Sequence, residues 1–204
     1  MNSPSSAFSA SSAVNPLGPR GGRLVVIYGC MFAGKTARLI ARLAQARAAG
    51  RRVVACKHRL DDRYDLARLI THDGRACAAV PVSGAGEVLR AAAHAQVVGI
   101  DEAQFFGRSL VRVCLELRAG GRTVVVAGID HDAWGQPFPP LPQLSARADE
   151  LEQMDAPCAV CGRPAVFSQR MVPVIDGRLV GGPGEYEPRC PAHFTPLASP
   201  APVY

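Results

Sequence analysis

The chain has no long apolar run. Its 204 residues are 48% hydrophobic, enough for a buried core. Nowhere do they string together the ~18 apolar residues that a membrane-spanning helix needs. MNSPSSAFSASSAVNPLGPRGG, at the start, does not read as a secretory leader either, for it lacks a basic head and a long apolar centre. Both absences set the expectation of a cytoplasmic protein with no membrane partner. Clusters of like charge are also wanting. The net charge is +6, but it comes from scattered arginines without a run of five or more, so nucleic acid is not the expected partner. Small phosphate-bearing molecules respond to the same positive field. Lysine is scarce: of 23 basic residues only Lys35 and Lys57 are lysines. The seven cysteines are an odd number, which with no leader argues against a disulfide framework. Cys56 and Cys114 fall in apolar patterns and read as buried thiols.

What is present alternates. RLVVIY (Arg23 to Tyr28) is a β-branched apolar run and reads as a buried strand. KTARLIARLAQARAAG follows as a helix with Gly50 as its stop, then RRVVACKH as a strand and GEVLRAAAHA as a helix. VVGID (Val97 to Asp101) is a third strand, SLVRVCLELRAGG a helix, and TVVVAGID (Thr123 to Asp130) a fourth strand. The fold class expected is α/β, a P-loop NTPase-type parallel sheet flanked by helices, with ligands at the carboxyl ends of the strands. After a proline-rich stretch the chain turns to short β-like runs between cysteine turns, which read as a small zinc-ribbon-like β domain. The expected division is a disordered tail over 1–22, the α/β domain over 23–150, the small cysteine-containing domain over 151–194, and a flexible tail over 195–204.

GCMFAGKT fits G-x-x-x-x-G-K-[ST], and its setting between a strand and a helix is what the mechanism of a phosphate loop requires. Backbone N–H groups of Gly29, Cys30, Met31, Phe32, Ala33, Gly34, Lys35 and Thr36 would cradle phosphates at the positive end of the helix. Lys35 would reach the β- and γ-phosphates, and Thr36 would ligate Mg²⁺. A compact ammonium suits that place better than a planar guanidinium fork. The loop needs a metal-holding carboxylate on a neighbouring strand, and Asp101 supplies it. Glu102 comes next and, on a β-backbone, points the other way, toward an acceptor. There it would polarise water in an ATPase or take a proton from a substrate hydroxyl in a kinase; DE after a strand does not separate the two.

CAVC (Cys158, Cys161) and CPAH (Cys190, His193) are two knuckles, each with two ligands, that together make a closed tetrahedral set of three thiolates and one imidazole. Such a set suits structural Zn²⁺ and leaves no open position for catalysis. Zinc ribbons are also found in nucleic-acid-binding proteins, so an ATP-hydrolysing, nucleic-acid-binding protein is the alternative reading at this point. His58, His72, His94 and His131 read as surface or packing residues.

Taken in order, GCMFAGKT, DDRY, THD, GIDEAQFF, GIDHDAWGQPF, CAVC, GGPGEYEPRC and CPAH resemble the zinc-containing (type II) thymidine kinase family from about Arg23 to Phe194. The resemblance implies transfer of the γ-phosphoryl group of ATP, as its Mg²⁺ complex, to the 5′-hydroxyl of deoxythymidine. It implies Glu102 as the base and Arg63 as a phosphate-stabilising arginine, with Asp61 structural. Met31, Phe105, Ser168 and Tyr186 would line the nucleoside pocket, beneath a flap pinned at both ends by the zinc site. It further implies a homotetramer and the triphosphate end product, dTTP, as a feedback ligand in the same pocket. One position departs: where the family usually carries an aromatic, this chain has Ala133, followed by Trp134.

Overall fold

The computed structural model describes residues 21–61, 67–71, 74–174 and 181–198. Its centre is a sheet of six parallel strands in the order β5-β2-β6-β7-β1-β8. The strands are β1 (Arg23–Gly29), β2 (Val53–His58), β5 (Val80–Val82), β6 (Val97–Ile100), β7 (Thr123–Gly128) and β8 (Glu150–Met154). β1 and β7 are interior strands and read as unbroken apolar runs because helices cover both faces. Side chains alternate across them. Leu24 and Val26 of β1 join Val124 and Val126 of β7 in one core, with Leu110, Val113 and Leu117 of α3 (Ser109–Ala119), Val88 of α2 (Ala85–Ala91) and Leu141 and Leu144 of α4 (Leu141–Ser145). Val25 and Ile27 enter the other core with Leu39, Ile40 and Leu43 of α1 (Lys35–Ala48). Cys56 and Cys114 are fully buried, and burial pushes both thiols up to about 12.

The four central strands and the helices between them lie where the sequence pattern puts them. Neither edge strand is foreseen by that pattern. β5 is three residues long and carries Pro81, tolerable only at an edge. β8, ELEQM, is mostly polar, and Leu151 is exposed. Its acids face basic residues instead of solvent alone: Glu150 pairs with Arg23 at 3.2 Å, and Glu150 and Glu152 both pair with Arg42, with Arg38 on Glu152. The sheet therefore runs on to Met154, across the division expected at residue 150.

Beyond it, β9 (Ala156–Pro157) pairs antiparallel with β10 (Pro164–Ala165), and β11 (Phe167–Arg170) with β12 (Tyr186–Arg189). A further hairpin, β3 (Arg68–Ile70) with β4 (Ala76–Ala78), buries Leu69 and Cys77 against the α1 side of the sheet. The segment 195–198, expected within a flexible tail, is tied down at two places. Thr195 exchanges hydrogen bonds of 2.7 and 2.8 Å with the Gln169 side chain, and Leu197 N–H donates to the Ala133 carbonyl at 3.2 Å. Among the described residues no helix is long and apolar enough to cross a membrane.

Gly29 closes β1 where it meets β8. Its φ is +143°, and a Cβ there would lie 2.0 Å from the Met154 carbonyl oxygen. Gly29→Ala is expected to cost about 1–3 kcal/mol in backbone strain alone, and the added methyl also pushes β8 away from β1. A urea midpoint equal to that of the parent would show that the edge strand docks without this glycine.

Candidate active site

The phosphate loop leaves β1 at Gly29 and enters α1 at Lys35. Phe32 and Gly34 both take left-handed backbone angles, with φ of 65° and 81°. No side chain caps α1, so the first-turn N–H groups are left to an incoming anion. Lys35 Nζ donates to the Cys30 carbonyl at 2.6 Å, so the ammonium lies across the loop. Burial lowers its proton affinity, against the opposing pull of Glu102, Cys30 and Asp101. Thr36 Oγ1 donates to Asp101 Oδ2 at 2.9 Å, and the Glu102 N–H donates to Asp101 Oδ1 at 3.0 Å. Even so, burial and then the neighbouring Glu102 charge raise the Asp101 carboxyl to about 7. A buried carboxylate beside a hydroxyl at the mouth of a phosphate loop is a donor set for a hard divalent cation.

These groups line a cavity of about 270 Å³ together with Lys57 and Asp61. Lys57 is 2% exposed and pairs with Asp61 at 3.2 Å. Both lysines of the chain thus line one cavity. Sequence reasoning gives Lys57 no role, although lysine scarcity is a signal for it.

Glu102 stands at φ 50°, ψ 48°. It is not on a β-backbone as strand alternation suggests, because β6 ends at Ile100 and a left-handed turn redirects the chain. The turn leaves Glu102 between two cavities: it lines the first and also a second, of about 40 Å³. Met31, Phe105, Ser168 and Tyr186 all line that second cavity, with Ala133 in its wall. Trp134 packs against the Met31–Ala133–Tyr186 cluster. Ser168 Oγ accepts from the Met31 N–H at 2.9 Å, so one wall of the second cavity is tied to the phosphate loop. Arg170, also unanticipated, donates to Tyr186 Oη at 2.8 Å and to the Val172 and Pro173 carbonyls at 3.0 and 3.3 Å. His58 is a packing residue as expected, edge-on to Phe106 at 4.7 Å, its Nδ1 accepting from Leu60 N–H. Arg63, His72, Asp73 and residues 175–180 of the flap lie outside the described residues.

Cys158, Cys161, Cys190 and His193 come together with all four ligand atoms within 4.8 Å of one another. Cys161 Sγ is 3.7 Å from Cys190 Sγ, and His193 Nδ1 is 3.8 and 3.3 Å from Cys158 and Cys190. A tetrahedral site with metal–sulfur bonds of about 2.3 Å has edges of about 3.8 Å, so the four donors fit a metal of that size. The cluster also abuts the phosphate loop. Cys30, to which the sequence assigns no role, is fully buried against Ala156, Cys158, Ala165 and Cys190, and its thiol donates to the Ala165 carbonyl at 3.1 Å. With the Met31–Ser168 bond, two consecutive loop residues are fastened to the cysteine module.

A parallel sheet, a phosphate loop at its carboxyl edge and a carboxylate on the adjacent strand define a P-loop nucleotide-binding protein of the α/β class. The family model described as thymidine kinase matches residues 22–194. The thymidine kinase of Rhodothermus sp. (strain ITI 518) is 45% identical over 191 residues, covering 89% of each chain. That of Bacteroides thetaiotaomicron is 43% identical over 171 residues, covering 84% of this chain and 86% of the relative. Among solved structures, AMPPCP-bound DnaA from Aquifex aeolicus overlaps with a TM-score of 0.42 at 15% identity, over 66% of this chain and 41% of that one, a likeness too loose to bear on function. The chain belongs to the thymidine kinase family and is by that membership an ATP-dependent phosphotransferase.

Two outcomes follow from this geometry. Asp101 titrates near 7 in the fold, against 3.8 for an unperturbed aspartate side chain, so the folded protein binds the extra proton between those values and loses stability as pH rises through them. Asp101→Asn should therefore stabilise the ligand-free protein by on the order of a few kcal/mol at about pH 8. The gain should shrink toward pH 4, while Mg²⁺-dependent nucleotide binding is lost; thermal melts across pH with and without Mg²⁺-ATP read both effects. Cys158→Ser, which touches neither cavity, should weaken ADP binding by roughly fivefold or more, because the loop loses its backing. Titration calorimetry showing parental ADP affinity together with lost metal content would rule that linkage out.

Proposed function

We propose that the chain transfers the γ-phosphoryl group of ATP to the 5′-hydroxyl of deoxythymidine. The observation that carries this reading is the place of Glu102, whose side chain lines both cavities. ATP would enter the 270 Å³ cavity with its phosphates on the loop from Gly29 to Thr36 and on Lys35. The nucleoside would enter from the side of Met31, Phe105, Ser168 and Tyr186. Glu102 then stands between donor and acceptor, where it accepts the 5′-hydroxyl proton as the oxygen attacks the γ-phosphorus and ADP leaves. Lys35 would follow the developing charge on the leaving phosphate. We assign Arg63 the neighbouring charge-stabilising role through the family resemblance.

Thr36 and Asp101 would hold Mg²⁺, which would neutralise charge on the β- and γ-phosphate oxygens. The three thiolates and His193 would hold Zn²⁺ as a structural ion that sets the spacing of the two knuckles. The division into an ATP-binding part, a zinc-containing nucleoside part and two tails fits this assignment, with β8 belonging to the ATP-binding sheet. dTTP as a feedback ligand and a homotetrameric assembly belong to the same reading and rest on the resemblance.

Glu102→Gln is expected to lower phosphoryl transfer by roughly 10²–10⁴-fold while ATP binding stays near that of the parent. The direct test mixes the protein with Mg²⁺-ATP and follows ADP with and without thymidine. ADP that appears only with thymidine, matched by thymidine 5′-phosphate, supports the kinase. Equal ADP without nucleoside makes water the acceptor and brings forward a nucleic-acid-stimulated ATPase.

A further inference from the structure

Glu102 sits on a left-handed residue in the turn after β6 (φ 50°), and a carboxylate on a turn needs something to hold it. Gln104 occupies that place. It belongs to the short 3-10 helix Ala103–Phe106 that follows the turn, and it is 7% exposed. Its Oε1 accepts from the Ile129 N–H at 3.1 Å, and its Nε2 donates to Glu102 Oε2. Chemistry fixes which way the amide faces. The Ile129 N–H can only donate, so it takes the carbonyl end, and the amino end is left for the carboxylate. The end of β7 is built for this approach: a Cβ on Gly128 would lie 3.1 Å from Gln104 Oε1 and 2.8 Å from Leu141 Cδ2. Ile129 itself lines both cavities. The base, the amide and the residue that follows β7 therefore form one hydrogen-bonded unit at the junction of the two sites.

We propose that Gln104 is the positioning residue of the Glu102 base. It holds one carboxylate oxygen so that the group faces the acceptor hydroxyl, and it references that position to Ile129. The inference rests on the reading of Glu102 as the base. It assigns Gln104 no contact with the reacting atoms. A donor that does not titrate holds the carboxylate at every pH at which the enzyme works, and a buried amide cannot swing away without orphaning the Ile129 N–H.

Two variants separate this role from simple packing. Gln104→Met keeps the volume and removes both bonds. Gln104→Glu keeps an acceptor for Ile129 and replaces the donor with a second carboxyl group. Two carboxyl groups at hydrogen-bond distance share one proton at low pH and repel once both ionise. The other charged or titratable groups around the pair are Lys35, Lys57, Asp61, Arg75 and Asp101 in the first cavity and His131, Asp132 and Tyr186 in the second. They are common to all the proteins compared, so the ratio of variant to parent isolates position 104.

The experiment measures kcat and KM for Mg²⁺-ATP from about pH 6 to about pH 9 for the parent, both Gln104 variants and Glu102→Gln, with thermal midpoints beside them. Gln104→Met is expected to lose roughly 10- to 100-fold in kcat, the scale of a misplaced catalytic group, with KM for ATP within about twofold and a ratio to parent that does not change with pH. Gln104→Glu is expected to approach the parent at the acid end and to fall away steadily as pH rises. Parental kcat in Gln104→Met would overturn the proposal. So would a Gln104→Glu ratio that is flat with pH, or a loss that follows the thermal midpoint and moves KM for ATP together with kcat. If Glu102→Gln keeps its turnover, the base assignment fails first, and that result is distinct from any produced at position 104.

Discussion

Three neighbouring parallel strands in register set the geometry of everything else. Ile100 of β6 pairs with Val126 of β7, which pairs with Val26 of β1. The three start level, and β6 stops two residues short of β7, so Asp101 sits level with Ala127, set back from Gly29 and Ile129 at the same carboxyl end of the sheet. A parallel sheet must also have both faces covered, and α1 meets that need while aiming its uncapped first turn at the same end. The loop, the carboxylates and the wall of the second cavity thus owe their nearness to hydrophobic burial elsewhere, and the site itself carries destabilised groups. Asp101 is a buried acid held up near neutral pH by desolvation and by Glu102. Such groups are tolerated where the surrounding sheet over-determines their positions.

The cysteine module backs the phosphate loop. A phosphate loop is a stretch of backbone with few side chains to hold it, and its precision has to come from its neighbours. Here the second and third loop residues are fastened outward, Cys30 to Ala165 and Met31 to Ser168. Those partners lie on β10 and β11, whose pairing strands β9 and β12 lead directly into Cys158 and Cys190 of the four-ligand cluster. Rigidity gained by gathering four donors in one place is passed to the loop through two hydrogen bonds and a small apolar cluster. The two cavities then share one support, which suits the proposed reaction, in which two ligands must meet at a fixed separation.

The central strands, the helices between them, the phosphate loop, Asp101 and the two knuckles are legible in the sequence, because each is local: a run, a period or a fixed spacing. What escapes it depends on distant segments meeting. β5 and β8 have the composition of loops and become strands only because the sheet offers them an edge. Arg170 and Gln104 look like ordinary polar residues until Tyr186 and Ile129 are brought beside them by other strands. Cys30 reads as an arbitrary choice because its partner is more than a hundred residues away. Strand alternation misreads the local conformation at Glu102: a left-handed turn, not a pleat, directs its carboxylate.

The use of arginine almost everywhere else gives the two lysines an unusual setting. Both line one cavity, at the place assigned to phosphates, and Lys57 is nearly sealed from solvent. Guanidinium groups do not react with ordinary acylating agents, whereas a neutral amine does. Any chemistry that acylates side-chain amines, whether a labelling ester, cyanate or an acetyl donor, therefore meets no other lysine on this chain. Its side-chain amine targets are the two lysines of this cavity, and a nucleotide bound there would itself be the shield.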